Sequence, residues 1–142
     1  MDAFDADVLI YAASPLHPLG RKVAALFGLR QLHDEAPAAG VGSVLLLPEV
    51  LGKPLRDGLE TEVQALTGLL ARLDLQPVDV ATAHLATAFS ASYGLRAADG
   101  VHLATAVVAG ADRFLTNNRR DFRSAIAEID VVYPVDLPDP AA

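Results

Sequence analysis

The sequence predicts an α/β fold with a mostly parallel central sheet, and three observations carry that expectation. Short apolar runs such as VGSVLLL, RFLT and DVVYPV alternate with longer stretches whose apolar residues recur at helical spacing. Proline- and glycine-containing breaks such as SPLHPLG punctuate the chain. Carboxylates fall where the strand-like runs end, which is where ligands collect in parallel α/β sheets.

In chain order, a strand is expected at residues 2 to 5, ahead of the Ala-rich VLIYAAS. Pro15, Pro18 and Gly20 stop any helix in the break after it. In RKVAALFGLRQLHDEA, the spacing of Val23, Leu26, Phe27, Arg30 and Leu32 predicts a helix over 19–34. APAAG is a loop. VGSVLLL is a buried strand ended by Pro48, and PEVLGKPLRDG a short helix interrupted at Gly52 and Pro54. Val63, Leu66, Leu69, Leu70 and Leu73 mark the next helix. DLQPVDV holds a short strand ending near Asp79. VATAHLATAFSASYG and AADGVHLATAVVAGA are two more helices around a GLR turn, alike through Ala-rich helix chemistry rather than through repetition. ADRFLTNN supplies a strand, RRDFRSAIAEI a helix and DVVYPVD a last strand. A single domain over 1–136 is expected, with a loose tail over 137–142.

Composition narrows the function classes. At 142 residues the chain is long enough to bury a core. The absence of cysteine removes disulfide scaffolds, thiolate metal sites and cysteine nucleophiles together. No apolar run approaches the ~18 residues of a membrane span, and the stretch after Met1 lacks a basic leader region. A soluble cytoplasmic protein is the expectation. A net charge of −7 argues against a sequence-independent nucleic-acid coat. It is compatible with an enzyme that meets nucleic acid through cations held on carboxylates.

Asp5 and Asp7 end the first candidate strand, Glu49 comes after VGSVLLLP, Asp99 opens a helix, and Asp121 lies beyond the strand RFLT. Singly, each has an ordinary explanation. Asp7 and Asp99 suit helix N-caps, and Glu49 and Asp121 suit first helical turns, where a carboxylate complements the helix dipole. Together they form an all-oxygen set without paired histidines, which favours Mg²⁺ or Mn²⁺ over zinc. Gathered carboxylates repel unless a cation or proton neutralises them. Metal-assisted phosphodiester hydrolysis, with an activated water, is the chemistry such a set performs.

The segments FDADVLIYA, LLLPEVLGKPL and GLRAADGVHLATAVVAGADRFLTNNRRDF resemble, in order and spacing, PIN-domain nucleases, in particular the VapC-like toxins of bacterial toxin–antitoxin pairs. The similarity runs from Phe4 to about Val135, and AADGVHLATAVVAGADRFLTNNRRDF is its most specific part. The resemblance implies a PIN-like three-layer α/β/α sandwich. Position by position, Asp5, Glu49 and Asp99 match the family's first three metal-binding acids and Asp121 the less constant fourth. Thr116 matches a hydroxyl residue that orients a ligand or water. In activity, the resemblance implies a Mg²⁺-dependent endoribonuclease, with Mn²⁺ as a substitute, holding one or two ions. An RNA substrate, a cognate antitoxin and a homodimer are the partners it implies. Two departures stand out: Asp7 replaces a usual Asn, leaving it as cap or extra ligand, and Asn117 and Asn118 stand where some relatives place an acid.

Other candidates are weighed on their residues. His102 lies three residues after Asp99 on one helical face, yet His84 in a similar context has no such acid, which favours a structural role for both. His17 and His33 are expected in solvent. Arg113, Arg119, Arg120 and Arg123 form the dense basic segment, suited either to RNA phosphates or to a solvated face. Lys53 and Arg56 are a weaker pair, and Tyr11 and Tyr93 suit core packing or base stacking. Leu26, Phe27, Leu66, Leu69 and Leu70 offer a dimer face or antitoxin groove beside their core role. Two rival readings exist: a catalytically inactive PIN-fold binding module, and a haloacid-dehalogenase-like phosphatase suggested by FDAD. The second lacks the expected residues after the acid pair and a well-placed lysine.

Overall fold

The computed structural model describes residues 1–28, 37–123 and 125–140. Five short strands, β1 (Asp2–Phe4), β2 (Gly40–Ser43), β3 (Leu73–Gln76), β4 (Arg113–Leu115) and β5 (Asp130–Val132), form one sheet in the order β3-β2-β1-β4-β5. Every pairing is parallel, with Ala3 opposite Val41 and Phe114, and Phe4 opposite Leu115. Among the described residues, six α-helices cover it: α1 (Ala6–Ala12), α2 (Pro18–Ala24), α3 (Leu46–Arg56), α4 (Glu60–Leu70), α5 (Val80–Tyr93) and α6 (Ala97–Val108).

Strand side chains alternate between faces, and the two cores obey that alternation. Ala3, Val41 and Phe114 pack under α5 and α6, with Phe89, Leu95 and Leu103. Phe4 and Leu115 point the other way, into Val8, Leu9, Val23, Leu46, Val50, Leu66 and Leu70 from α1 to α4. The result is the three-layer α/β/α sandwich expected from the sequence.

Several boundaries differ from the sequence reading. β2 ends at Ser43, because the Leu45 N–H turns back onto Ser43 Oγ. The leucines of VGSVLLL therefore begin α3 rather than extend the strand. Pro48 sits in the first turn of α3, where a missing N–H costs nothing, and α3 runs through Gly52 and Pro54 without interruption. The helix expected over 19–34 is α2 and then a 3-10 turn over Ala25–Phe27 that Gly28 closes at φ 70°. Arg30, Leu32 and His33 lie outside the described residues.

RRDFRSAIAEI is not an α-helix among its described residues. Phe122, Ile126 and Ile129 are buried at helix-like spacing, and the Phe122 N–H makes one helix-type bond to the Asn118 carbonyl at 2.9 Å, but the ladder does not continue. Tyr133 Oη donates to the Phe122 carbonyl at 2.6 Å, the acceptor that a helix would reserve for the Ile126 N–H. The Ile126 N–H instead donates to the Arg123 carbonyl. Upstream, Asn118 Oδ1 takes the Asp121 N–H, a local bond that competes with helix formation.

Helices α5 and α6 pack closely, and small residues permit it. A Cβ at Gly100 would stand 2.7 Å from Ser90 Oγ and 3.0 Å from the Ala86 carbonyl oxygen. Gly94 ends α5 at φ 67°, the left-handed conformation that terminates helices and turns the chain toward α6.

Candidate active site

The site builds outward from Asp5. β1 ends at Phe4, and Asp5 leaves the sheet in an extended conformation to become the N-cap of α1, its Oδ1 accepting from the Ala6 N–H at 2.8 Å. Its other oxygen accepts from Thr116 Oγ1 at 2.7 Å. Asp5 is thus both cap and candidate ligand, while Asp7, for which a capping role was the ordinary reading, is not the cap. Asp7 Oδ2 instead accepts from the Asn117 N–H at 3.0 Å, tying α1 to the loop after β4, and its Oδ1 is buried without a partner.

Thr116 is fully buried at the end of β4, and its Oγ1 also accepts from the Asn118 N–H at 3.1 Å. Asp121 Oδ2 accepts from Asn118 Nδ2 at 2.9 Å. Asp121 therefore sits in an asparagine-organised turn, not in the first turn of a helix. Asp99 lies in the first turn of α6, whose N-cap position is Arg96, so Asp99 is not a cap either. Glu49 lies in the first turn of α3, and His102 Nε2 stands 2.9 Å from its Oε2.

Electrostatics show which acids share an environment. Burial raises Asp99 above its ordinary range, and the charges of Asp5, Asp121 and Glu49 raise it further. Burial likewise raises Asp5, against the charge of His102 and the hydrogen bonds from Thr116 and Ala6, with Glu49 adding to the rise. Asp7 is pushed up to about 7 by burial, then by the charges of Asp5 and Asp99. For His102, burial is the largest influence and favours the neutral ring. The Glu49 hydrogen bond and the charges of Asp5, Glu49 and Asp99 together outweigh it, so His102 is raised.

Asp99 thus feels the charges of Asp5, Glu49 and Asp121, and Asp5 that of Glu49, from separate segments beyond the carboxyl ends of the strands. Among the described residues, no three histidine, aspartate and glutamate side chains are gathered closely enough to make a ready cation cage. The acids share a field rather than a closed coordination shell.

The remaining candidates fall out clearly. Arg113 is at the opposite end of the sheet, donating to both Asp2 oxygens at 2.9 and 3.0 Å. Arg119, Arg120 and Arg123 are exposed near Asp121, with Arg119 over the Tyr133 ring. Arg56 pairs with neighbouring Asp57. His17 is not free in solvent: its Nδ1 accepts from the Gly20 N–H and its ring stacks on Tyr11 at 4.4 Å. Tyr93 packs against Phe89 and donates to Glu128. Phe27, Leu66 and Leu70 are buried core, so the apolar face expected there is not a surface.

His102 is a buried helix histidine with a hydrogen-bond partner, as the structural reading of the sequence favoured, and that partner is Glu49. The same role does not extend to His84, which is exposed on α5 whereas His102 is 2% exposed on α6.

This chain belongs to the PIN domain family, whose pattern matches residues 3–127. PIN domains are generally nucleases and usually use divalent metals. Two solved structures are similar in fold. One, a toxin–antitoxin complex from Klebsiella pneumoniae, has 22% identity and a TM-score of 0.70, covering 94% of this chain and 98% of its own. The other, FitAB bound to an IR36 DNA fragment, has 20% identity and a TM-score of 0.68, covering 97% and 98%. Comparison with curated proteins finds no match. Among the described residues no helix is long and apolar enough to cross a membrane.

Proposed function

We propose that the chain is a Mg²⁺-dependent endoribonuclease, the toxin of a toxin–antitoxin pair, working at Asp5, Glu49, Asp99 and Asp121. The observation that carries this reading is the convergence at Asp99 of charge from Asp5, Asp121 and Glu49, three acids on separate segments. Their donor chemistry fits a hard divalent cation: all four are carboxylates, and the chain has no cysteine. Burial is the largest cause of the upward shifts of Asp5 and Asp99, and neighbouring carboxylates add to both, a repulsion that a cation would offset. The fit is one of donor type and charge.

When bound there, a divalent cation supplies activation of water and stabilisation of charge on a phosphate undergoing in-line displacement. The protein's own part is positioning. Thr116 and the Ala6 N–H fix the two oxygens of Asp5. Asp7, with its unpartnered Oδ1, is suited to hold a proton near neutral pH. Arg119, Arg120 and Arg123 offer phosphate contacts beside Asp121 on an otherwise acidic chain. Exposed Leu47, Leu55 and Leu59 give an antitoxin or a second copy an apolar surface. The fold's likeness to the protein in a toxin–antitoxin complex supports a partner of that kind.

The test is cleavage of RNA by the purified chain. Wild type is expected to cut with Mg²⁺ or Mn²⁺ and to stop in EDTA. Asp5→Ala and Asp99→Asn should lose both cleavage and cellular toxicity. Failure of wild type to cut with either ion, or unchanged toxicity in both variants, would overturn the reading. Light scattering reports the dimer directly.

A further inference from the structure

We propose that His102 is a positioning residue for Glu49, its Nε2–H pinning that carboxylate against α6 and so setting the cation affinity of the acid cluster. The inference rests on the metal-site reading above and deepens it.

Glu49 is the exposed acid of the four and has the longest side chain. Its side chain is 34% exposed, and among the described residues its hydrogen-bond partner is His102. A free glutamate side chain has high rotamer entropy, which must be lost for a ligand to be fixed. Asp5, by contrast, is short, buried and bound at both oxygens. The cluster's weak point in preorganisation is therefore on α3, and the bond from His102 addresses it.

His102 is well placed to do so. Its side chain is 1% exposed, locked within α6, and three residues beyond Asp99. One helix thus presents a carboxylate to the cluster and, one turn on, a donor to the cluster's most exposed member. With its Nε2 directed at Glu49, the imidazole acts through that carboxylate.

Packing alone does not explain the residue. His102 Nδ1 is buried without a partner, and an orphaned buried polar atom is costly. A leucine or methionine would fill the space without that cost. The polar end that the fold does satisfy faces Glu49.

The experiment measures Mn²⁺ binding to the purified full chain by calorimetry, alongside urea unfolding in EDTA. His102→Leu and His102→Asn are expected to weaken Mn²⁺ binding by ~10–100-fold, the usual effect of losing a residue that orients a ligand. His102→Gln, whose amide nitrogen reaches the place of Nε2, should keep affinity within a few-fold of wild type. His102→Leu should be as stable in EDTA as wild type, or more so, which separates positioning from packing. Wild-type affinity in His102→Leu and His102→Asn, or equal losses in His102→Gln and His102→Asn, would overturn the inference while leaving the metal site intact. A wild type that binds no Mn²⁺ would remove the metal-site reading itself, and this inference with it. Should His102→Leu not fold, the contrast between His102→Gln and His102→Asn decides alone.

Discussion

The Thr116 hydroxyl donates to Asp5 Oδ2 at 2.7 Å, joining the ends of β1 and β4 across 111 residues of sequence. Both residues are buried, and the same hydroxyl accepts the Asn118 N–H, so one oxygen couples the first candidate ligand to the asparagine turn that holds Asp121. Thr116→Val preserves shape and removes the donor. A hydrogen bond to a charged group is worth ~1.5–3 kcal/mol, and urea unfolding should show a loss of that order. Thr116→Ser should recover most of it. An unchanged midpoint in Thr116→Val would show that the bond stabilises nothing.

Asp7 makes stability depend on pH in a stated direction. Its folded value of about 7 lies above the ordinary 3.8, chiefly through burial and then through the charge of Asp5. Between those values the folded chain binds a proton more readily than the unfolded chain. The associated stability is fully present below the lower value and is lost as pH rises through the upper one. Asp7→Asn abolishes the titration and keeps an acceptor for the Asn117 N–H. Since each pKa unit corresponds to ~1.4 kcal/mol, the variant's stability relative to wild type in EDTA should rise by roughly 2–4 kcal/mol from pH 4 to pH 8. A difference that stays constant with pH would refute the assignment.

How much could be read in the sequence depends on how local each determinant is. α5 and α6 were legible because Ala-rich helical periodicity and the GLR turn lie within a few residues of each other. The positions of Asp5, Glu49, Asp99 and Asp121 at element ends were legible for the same reason. RRDFRSAIAEI was not, because Phe122, Ile126 and Ile129 keep helical spacing while Tyr133, eleven residues on, takes the Phe122 carbonyl. The cap at Asp5 and the tether at Asp7 were exchanged because helix α1 begins earlier than the apolar pattern suggests. His102 and Glu49 are 53 residues apart, and nothing local to either announces their contact.

Arg113 separates structural from substrate-facing basic residues. Its guanidinium forks onto Asp2 where β1 and β4 begin, whereas Asp5 and Thr116 lie where those strands end. Partly exposed pairs of this kind contribute at most ~1 kcal/mol. Arg113→Ala should therefore lose no more than that and leave RNA cleavage unchanged. Arg120→Ala should weaken RNA binding and reduce its salt dependence by about one unit of slope, as loss of one phosphate contact requires. A larger cleavage defect in Arg113→Ala than in Arg120→Ala would reverse the assignment.

Gly100 fixes how near α6 can approach α5, and with it the placement of Asp99 and His102. In an open helix, Gly→Ala gains up to ~1 kcal/mol from helix propensity. Gly68, in α4, is such a case, since an added Cβ there meets nothing within 4 Å. At Gly100 the added methyl meets Ser90 Oγ at 2.7 Å and the Ala86 carbonyl oxygen at 3.0 Å. Ser90 can rotate away, but the Ala86 backbone cannot, so α6 must shift, and overpacking of this kind costs ~1–3 kcal/mol. Thermal unfolding should therefore show Gly68→Ala stabilised and Gly100→Ala destabilised. Because the shift starts beside Asp99, Gly100→Ala should also weaken Mn²⁺ binding, which Gly68→Ala should leave untouched. Changes of the same sign in both variants would show that α5 and α6 can separate without disturbing the site.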